Sequence, residues 1–147
     1  MPRLQTIASV SLLLTLTPLV YAASDDITVY KNRGCVCCEK WSATLGGQNR
    51  VLHTVEMDDT SPIKNRYRVP AALRSCHSAV IGGYVFEGHV PSGLIAKVLR
   101  DRPAIAGLAV PGMPAGAPGM EVPGVKAGPW QVIAFERNGK TSLYAQR

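Results

Sequence analysis

Ile27-Thr28-Val29-Tyr30-Lys31-Asn32-Arg33-Gly34-Cys35-Val36-Cys37-Cys38-Glu39-Lys40-Trp41 is the stretch that decides the fold. Its first four residues are β-branched or aromatic and read as a short strand. Lys31 to Gly34 is a turn, and a helix is predicted to start around the cysteines. Trp41 and Leu45 lie four apart, so they share that helix's buried face with one of the thiols. Gly46-Gly47 stops it, as glycine past a last turn does.

Outward from this stretch, strands and helices alternate. Val51 to Met57 is a second strand. Ser61-Pro62 supplies a cap and a first-turn proline for a short helix over Ile63 to Tyr67, ended by Val69-Pro70. Ser78-Ala79-Val80-Ile81 and Tyr84-Val85-Phe86-Glu87 are strands joined by a Gly82-Gly83 hairpin turn. Pro91 opens a helix whose Leu94, Ile95, Val98 and Leu99 form one apolar stripe, closed by Asp101-Arg102-Pro103. The order β-α-β-α-β-β-α, with a Cys-x-x-Cys where the first strand meets the first helix, is that of a thioredoxin-like α/β domain. Residues 103–129 form a Pro/Gly-rich, Met-containing loop with almost no charge, a length that marks a functional loop or a linker. Residues 130–147 read as a terminal hairpin, Trp130 to Phe135 and Thr141 to Tyr144, turned by Asn138-Gly139.

Residues 1–22 have the pattern of a signal peptide: Arg3, an apolar run from Ile7 to Val20, then Val20-Tyr21-Ala22 for cleavage. The run is too short and too early for a comfortable membrane span. The mature chain is then a single domain, 23–147, expected in the periplasm and free of the membrane after cleavage. The net charge of +6 comes from scattered Lys and Arg, which favours solubility and argues against a nucleic-acid partner.

Export makes the four cysteines informative. Exported proteins use cysteines for separated structural bridges, but here three fall within four residues. A disulfide requires Cα atoms roughly 4.4–6.8 Å apart, which the triplet satisfies well only for Cys35 with Cys38. Thiolates are the soft donors of Cu(I), Zn(II) and iron–sulfur centres, and the nucleophiles of disulfide exchange. The helix start favours a thiolate at Cys35. Cys37 has no place in dithiol exchange, whereas a third sulfur suits Cu(I), and bridging sulfurs allow more than one ion.

In the expected fold, the loop entering the third strand lies against the first helix's N-terminus, which brings Cys76-His77 to the triplet. Cys76 alone could equally be a buried small hydrophobe. His77 is a ligand, a proton donor or a strand-entry residue. His89, just before a helix, reads first as a capping or surface residue and second as a ligand. His53 reads as structural. Met113 and Met120 are either thioether ligands or covers for an apolar surface.

The runs Cys35-Val-Cys-Cys38-Glu-Lys-Trp41, Val69-Pro-Ala71, Ser75-Cys-His-Ser-Ala-Val80, Gly82-Gly-Tyr-Val85, Glu87-Gly-His-Val-Pro91, Gly107-Leu-Ala-Val-Pro-Gly-Met-Pro114 and Pro118-Gly-Met-Glu121 together resemble the CopG-like family. These are small exported proteins associated with bacterial copper resistance. The likeness runs from Ile27 to the C-terminus with no departure at a sulfur position. The resemblance implies a thioredoxin-like domain that binds copper through the triplet and the distant cysteine, with a periplasmic redox role on copper or thiols. It also makes the Met loop part of the pattern.

Three readings follow. In the first, a periplasmic copper-resistance protein sequesters or redox-handles Cu(I) through Cys35, Cys37, Cys38 and Cys76, with His77 auxiliary and His89, Met113 and Met120 behind it. Its partners are copper ions and other periplasmic copper-handling proteins. In the second, a thiol–disulfide oxidoreductase uses Cys35 as nucleophile and Cys38 as resolving thiol. In the third, zinc held by Cys35, Cys38, Cys76 and His77 stabilises a binding module. If the triplet oxidises, Cys35–Cys38 is the expected bridge.

Overall fold

The computed structural model describes residues 26–46 and 50–147. The expected signal peptide and Gly47 lie outside these residues. Among the described residues, no helix is long and apolar enough to cross a membrane.

The described residues form a mixed α/β protein with a seven-stranded sheet and three helices. Strand β1 (Ile27–Asn32) leads into helix α1 (Val36–Ala43), strand β2 (Leu52–Met57) and helix α2 (Ser61–Arg66). A 3-10 turn at Ala71–Leu73 precedes strands β3 (His77–Ile81) and β4 (Tyr84–Glu87) and helix α3 (Ser92–Asp101). The chain closes with β5 (Gly107–Ala109), β6 (Gln131–Phe135) and β7 (Thr141–Gln146). The sheet order is β2-β1-β3-β4-β5-β6-β7. β1 pairs in parallel with β2 and antiparallel with β3, so Lys31 faces His77 across the ladder. β4 pairs antiparallel with β3 and in parallel with β5.

The alternating burial expected of strands distributes the core over both faces. Ile27, Val29, Ala79, Ile81 and Phe86 meet Trp41 and Leu45 of the α1 segment and Ile95, Val98 and Leu99 of α3. Val85, Ala109 and Phe135 face the other way and pack on Val69 and Leu73. Burying each large apolar side chain contributes about 1.5–3 kcal/mol. The predicted stripe of α3 and the shared face of Cys38, Trp41 and Leu45 are both buried as expected, with Leu94 half-buried at the rim. Gly82 and Gly83 take φ of 55° and 87°, the doubly left-handed turn that a two-residue hairpin needs.

Two sequence expectations are corrected. Residues 103–129 are not strandless, because Gly107-Leu108-Ala109 is inserted between β4 and β6. Gly107 is there because a Cβ would collide with the Val85 carbonyl oxygen. Helix α2 is capped by Thr60 rather than Ser61, and the Asp59 carboxylate accepts the Ser61 N–H at 2.8 Å. The acid one residue further upstream thus takes the donor left free by the helix start.

Candidate metal centre

Helix α1 presents its cysteines from its first turn. Cys35 is the N-cap, in extended conformation and without a side-chain capping bond. Its sulfur is therefore directed to other sulfurs instead of to the helix's free N–H groups. Cys35 and Cys38 form a disulfide with Cα atoms 5.3 Å apart, and Cys37 and Cys76 are free. The Cys37 sulfur lies 3.5 Å from that of Cys35, and the Cys76 sulfur 3.5 Å from that of Cys38. All four sulfurs fall within 4.8 Å of one another. Folding thus gathers the triplet and the distant cysteine into a single cluster.

Cys76 belongs to a second group as well. Its sulfur lies 3.6 Å from His77 Nδ1 and 3.9 Å from His89 Nε2, and the three donor atoms lie within 4.8 Å of one another. His77 and His89 are fully buried. Burial, helped by His89 and Lys64, pushes the His77 pKa down to about 3, and burial lowers that of His89 too. Both imidazoles are therefore neutral at ordinary pH, the form that ligates metals. His89 Nδ1 donates to the Pro118 carbonyl at 2.7 Å, which assigns its proton and leaves Nε2 as a lone pair towards Cys76. His77 Nε2 is buried without a hydrogen-bond partner. Leaving such a nitrogen unsatisfied costs about 1–3 kcal/mol, and it is the other nitrogen, Nδ1, that faces Cys76. Burial, then the neighbouring Cys37, pushes the Cys76 pKa up to about 11. Without metal it is a thiol, and a soft cation taking its sulfur displaces the proton.

The cluster is framed by side chains that the sequence gives no direct reason to connect. Trp41 donates from Nε1 to the Val90 carbonyl at 2.9 Å, and its ring lies 4.3 Å from that of His77. Beneath Cys76-His77, the Glu87 carboxylate accepts from Ser75 N–H at 2.6 Å, from Lys64 Nζ at 2.6 Å and from Ser78 Oγ. Burial pushes the Glu87 carboxyl above its usual range, against the pull of the Lys64 ammonium and these donors. The one cue in the sequence is an acid ending an otherwise apolar strand, Tyr84-Val85-Phe86-Glu87.

The Pro/Gly-rich loop covers the cluster. Gly112 O accepts from Ser75 Oγ at 3.1 Å, and Pro118 O holds His89. A Cβ on Gly119 would stand 2.8 Å from the Trp41 nitrogen and 3.1 Å from the Cys37 oxygen, so glycine lets the loop lie directly on α1. Met113 is exposed and Met120 half-buried on this loop. His53, read as structural, is on the exposed edge strand β2.

A family model described as a protein of unknown function, DUF411, matches residues 73–120. No match is found among the curated proteins. Two solved structures named as copper resistance protein CopG resemble the chain at 38% identity. Form 1 has a TM-score of 0.77 and the match covers 85% of this chain and 98% of that one. Form 2 has a TM-score of 0.76, with 83% and 97% covered.

Proposed function

The chain belongs to the CopG-like family, and from that premise we propose that it takes up Cu(I) as cargo through Cys35, Cys37, Cys38 and Cys76 once the Cys35–Cys38 disulfide is reduced. The observation that carries this reading is the approach of the Cys76 sulfur to the triplet, 3.5 Å from Cys38 across 38 residues of chain. Soft thiolates at that density suit Cu(I). His77 and His89 supply neutral nitrogens on the far side of Cys76, and a donor set this large accommodates more than one ion. Met113 and Met120 flank the cluster on its covering loop as secondary thioethers. The first seven elements are read as thioredoxin-like, and the site of action as the periplasm, after removal of residues 1–22. Reduction of the disulfide takes two electrons and two protons from an external dithiol. Copper binding then releases thiol protons, that of Cys76 included.

The test is competition between the reduced protein and a chromophoric Cu(I) chelator, with metal counted by elemental analysis. The reduced protein is expected to withdraw copper from the chelator, and Cys76→Ser to lose most of that capacity. No withdrawal by the reduced wild-type protein ends the proposal. A second reading, disulfide exchange, is favoured by one observation, the Cys35–Cys38 bridge at the mouth of α1. Insulin reduction that is lost in Cys35→Ser and indifferent to Cys37→Ser is the result that selects it.

A further inference from the structure

The arginines, scattered in sequence, are not all scattered in space. Arg66 and Arg68 follow one another around Tyr67 at the end of α2, and Arg137 comes from the β6–β7 turn. Together with Gly83, Val85 and Ala106 they line a cleft of about 460 Å³. It lies on the sheet face to which Val85 points, opposite the face carrying Trp41 and Ile95, and shares no residue with the cysteine cluster. Its floor is apolar, since Val85 and Ala106 are buried. Its rim is cationic, and no acid lines it.

Among the described residues no carboxylate pairs with Arg66, Arg68 or Arg137. Arg68 Nη1 reaches only the Arg137 carbonyl, at 3.5 Å, and Arg66 lies 5.9 Å from the centre of the Tyr67 ring. The nearest acid in sequence, Glu136, is occupied by Asn138 at 3.1 Å and by Lys140 at 3.9 Å. Arg68 also holds φ at 57°, a left-handed backbone that glycine adopts without steric cost. Like charges converging on one concavity raise the local concentration of anions. Guanidinium forks bind carboxylate and phosphate oxygens two at a time.

We propose that the Arg66–Arg68–Arg137 cleft is a binding site for a small multivalent oxyanion, a phosphate ester or a polycarboxylate, whose apolar part rests on Val85, Ala106 and the Tyr67 ring. The site is independent of copper uptake. The metal-free protein is titrated calorimetrically with pyrophosphate and, separately, with tricarballylate, at constant ionic strength. The expected result is saturable binding at a single site, weakened at least about tenfold in the double variant Arg66→Gln, Arg137→Gln. The variant's thermal midpoint and copper uptake stay unchanged, because neither arginine supports the fold or the cluster. Tighter pyrophosphate binding assigns the site to phosphate esters, and tighter tricarballylate binding to polycarboxylates. Absence of saturation by both probes at millimolar concentration overturns the proposal, and so does an affinity that survives the double substitution.

Discussion

Strands β3 and β4 are buried along nearly their whole length, whereas β7, the outer strand of the second hairpin, is exposed or half-buried at every residue. Both hairpins are antiparallel and turn through a glycine at positive φ. The difference is what each does with its charges. The first keeps the Lys64–Glu87 pair at 2.6 Å with both side chains out of solvent, and the second keeps Glu136 and Lys140 at 3.9 Å, largely in water. A polar group on β3–β4 has lost its water and depends on its protein partners. One on β6–β7 has water as an alternative partner. The first hairpin borders the sulfur cluster and the second does not, so desolvation is concentrated around that cluster.

The sharpest way to break this contrast is to remove one acid from each hairpin. Glu87→Ala strands a buried ammonium and is expected to cost about 3–5 kcal/mol in urea denaturation. Glu136→Ala is expected to cost no more than about 0.5 kcal/mol. Similar losses at the two positions would remove the distinction. Pairing Lys64→Met with Glu87→Leu sharpens it, because removal of both charges recovers much of the stability that one substitution loses.

The next effect is acid sensitivity. His77 titrates near 6.5 in the unfolded chain and at about 3 when folded. The depressed folded value means that its contribution is fully present above pH 6.5 and is lost as pH falls from there towards 3. Thermal or urea melts of the metal-free protein should show stability declining in that window, His77 alone contributing up to about 1.4 kcal/mol per pH unit. His89, also lowered by burial, adds in the same direction. His77→Gln should flatten the profile, and a profile equally steep without His77 would count against its burial as the cause.

The smallest effect belongs to the second turn. Asn138 Oδ1 accepts from Lys140 N–H at 2.8 Å, in the open. Asn138→Ala should cost about 0.5–1.5 kcal/mol in the same denaturation experiment, with no change in copper binding.

Much of this could be read from residue types. Ile27 to Tyr30, the stripe of α3 and the Gly82-Gly83 turn are local signals, and they fold as local signals should. The cysteine cluster was also legible, because three sulfurs in four residues exceed what one disulfide can use. The β5 strand was not legible: Gly107-Leu108-Ala109 has little strand preference of its own and is a strand only because β4 and β6 stand on either side. His89 gave a misleading signal. Its position before a helix suggests a cap, yet the Pro118 carbonyl from the loop turns its ring towards Cys76. The Lys64–Glu87 pair joins residues 23 positions apart on different elements, and no periodicity encodes such a partnership.

Glu87 grips the chain on both sides of Cys76-His77, through Ser75 N–H and Ser78 Oγ. The facing side of the cluster starts at an N-cap, Cys35, whose side chain is committed to Cys38 instead of to the helix's free N–H groups. The bridge between Cys35 and Cys38 thus stands beside a cysteine, Cys76, whose flanking residues are tied down by a single carboxylate.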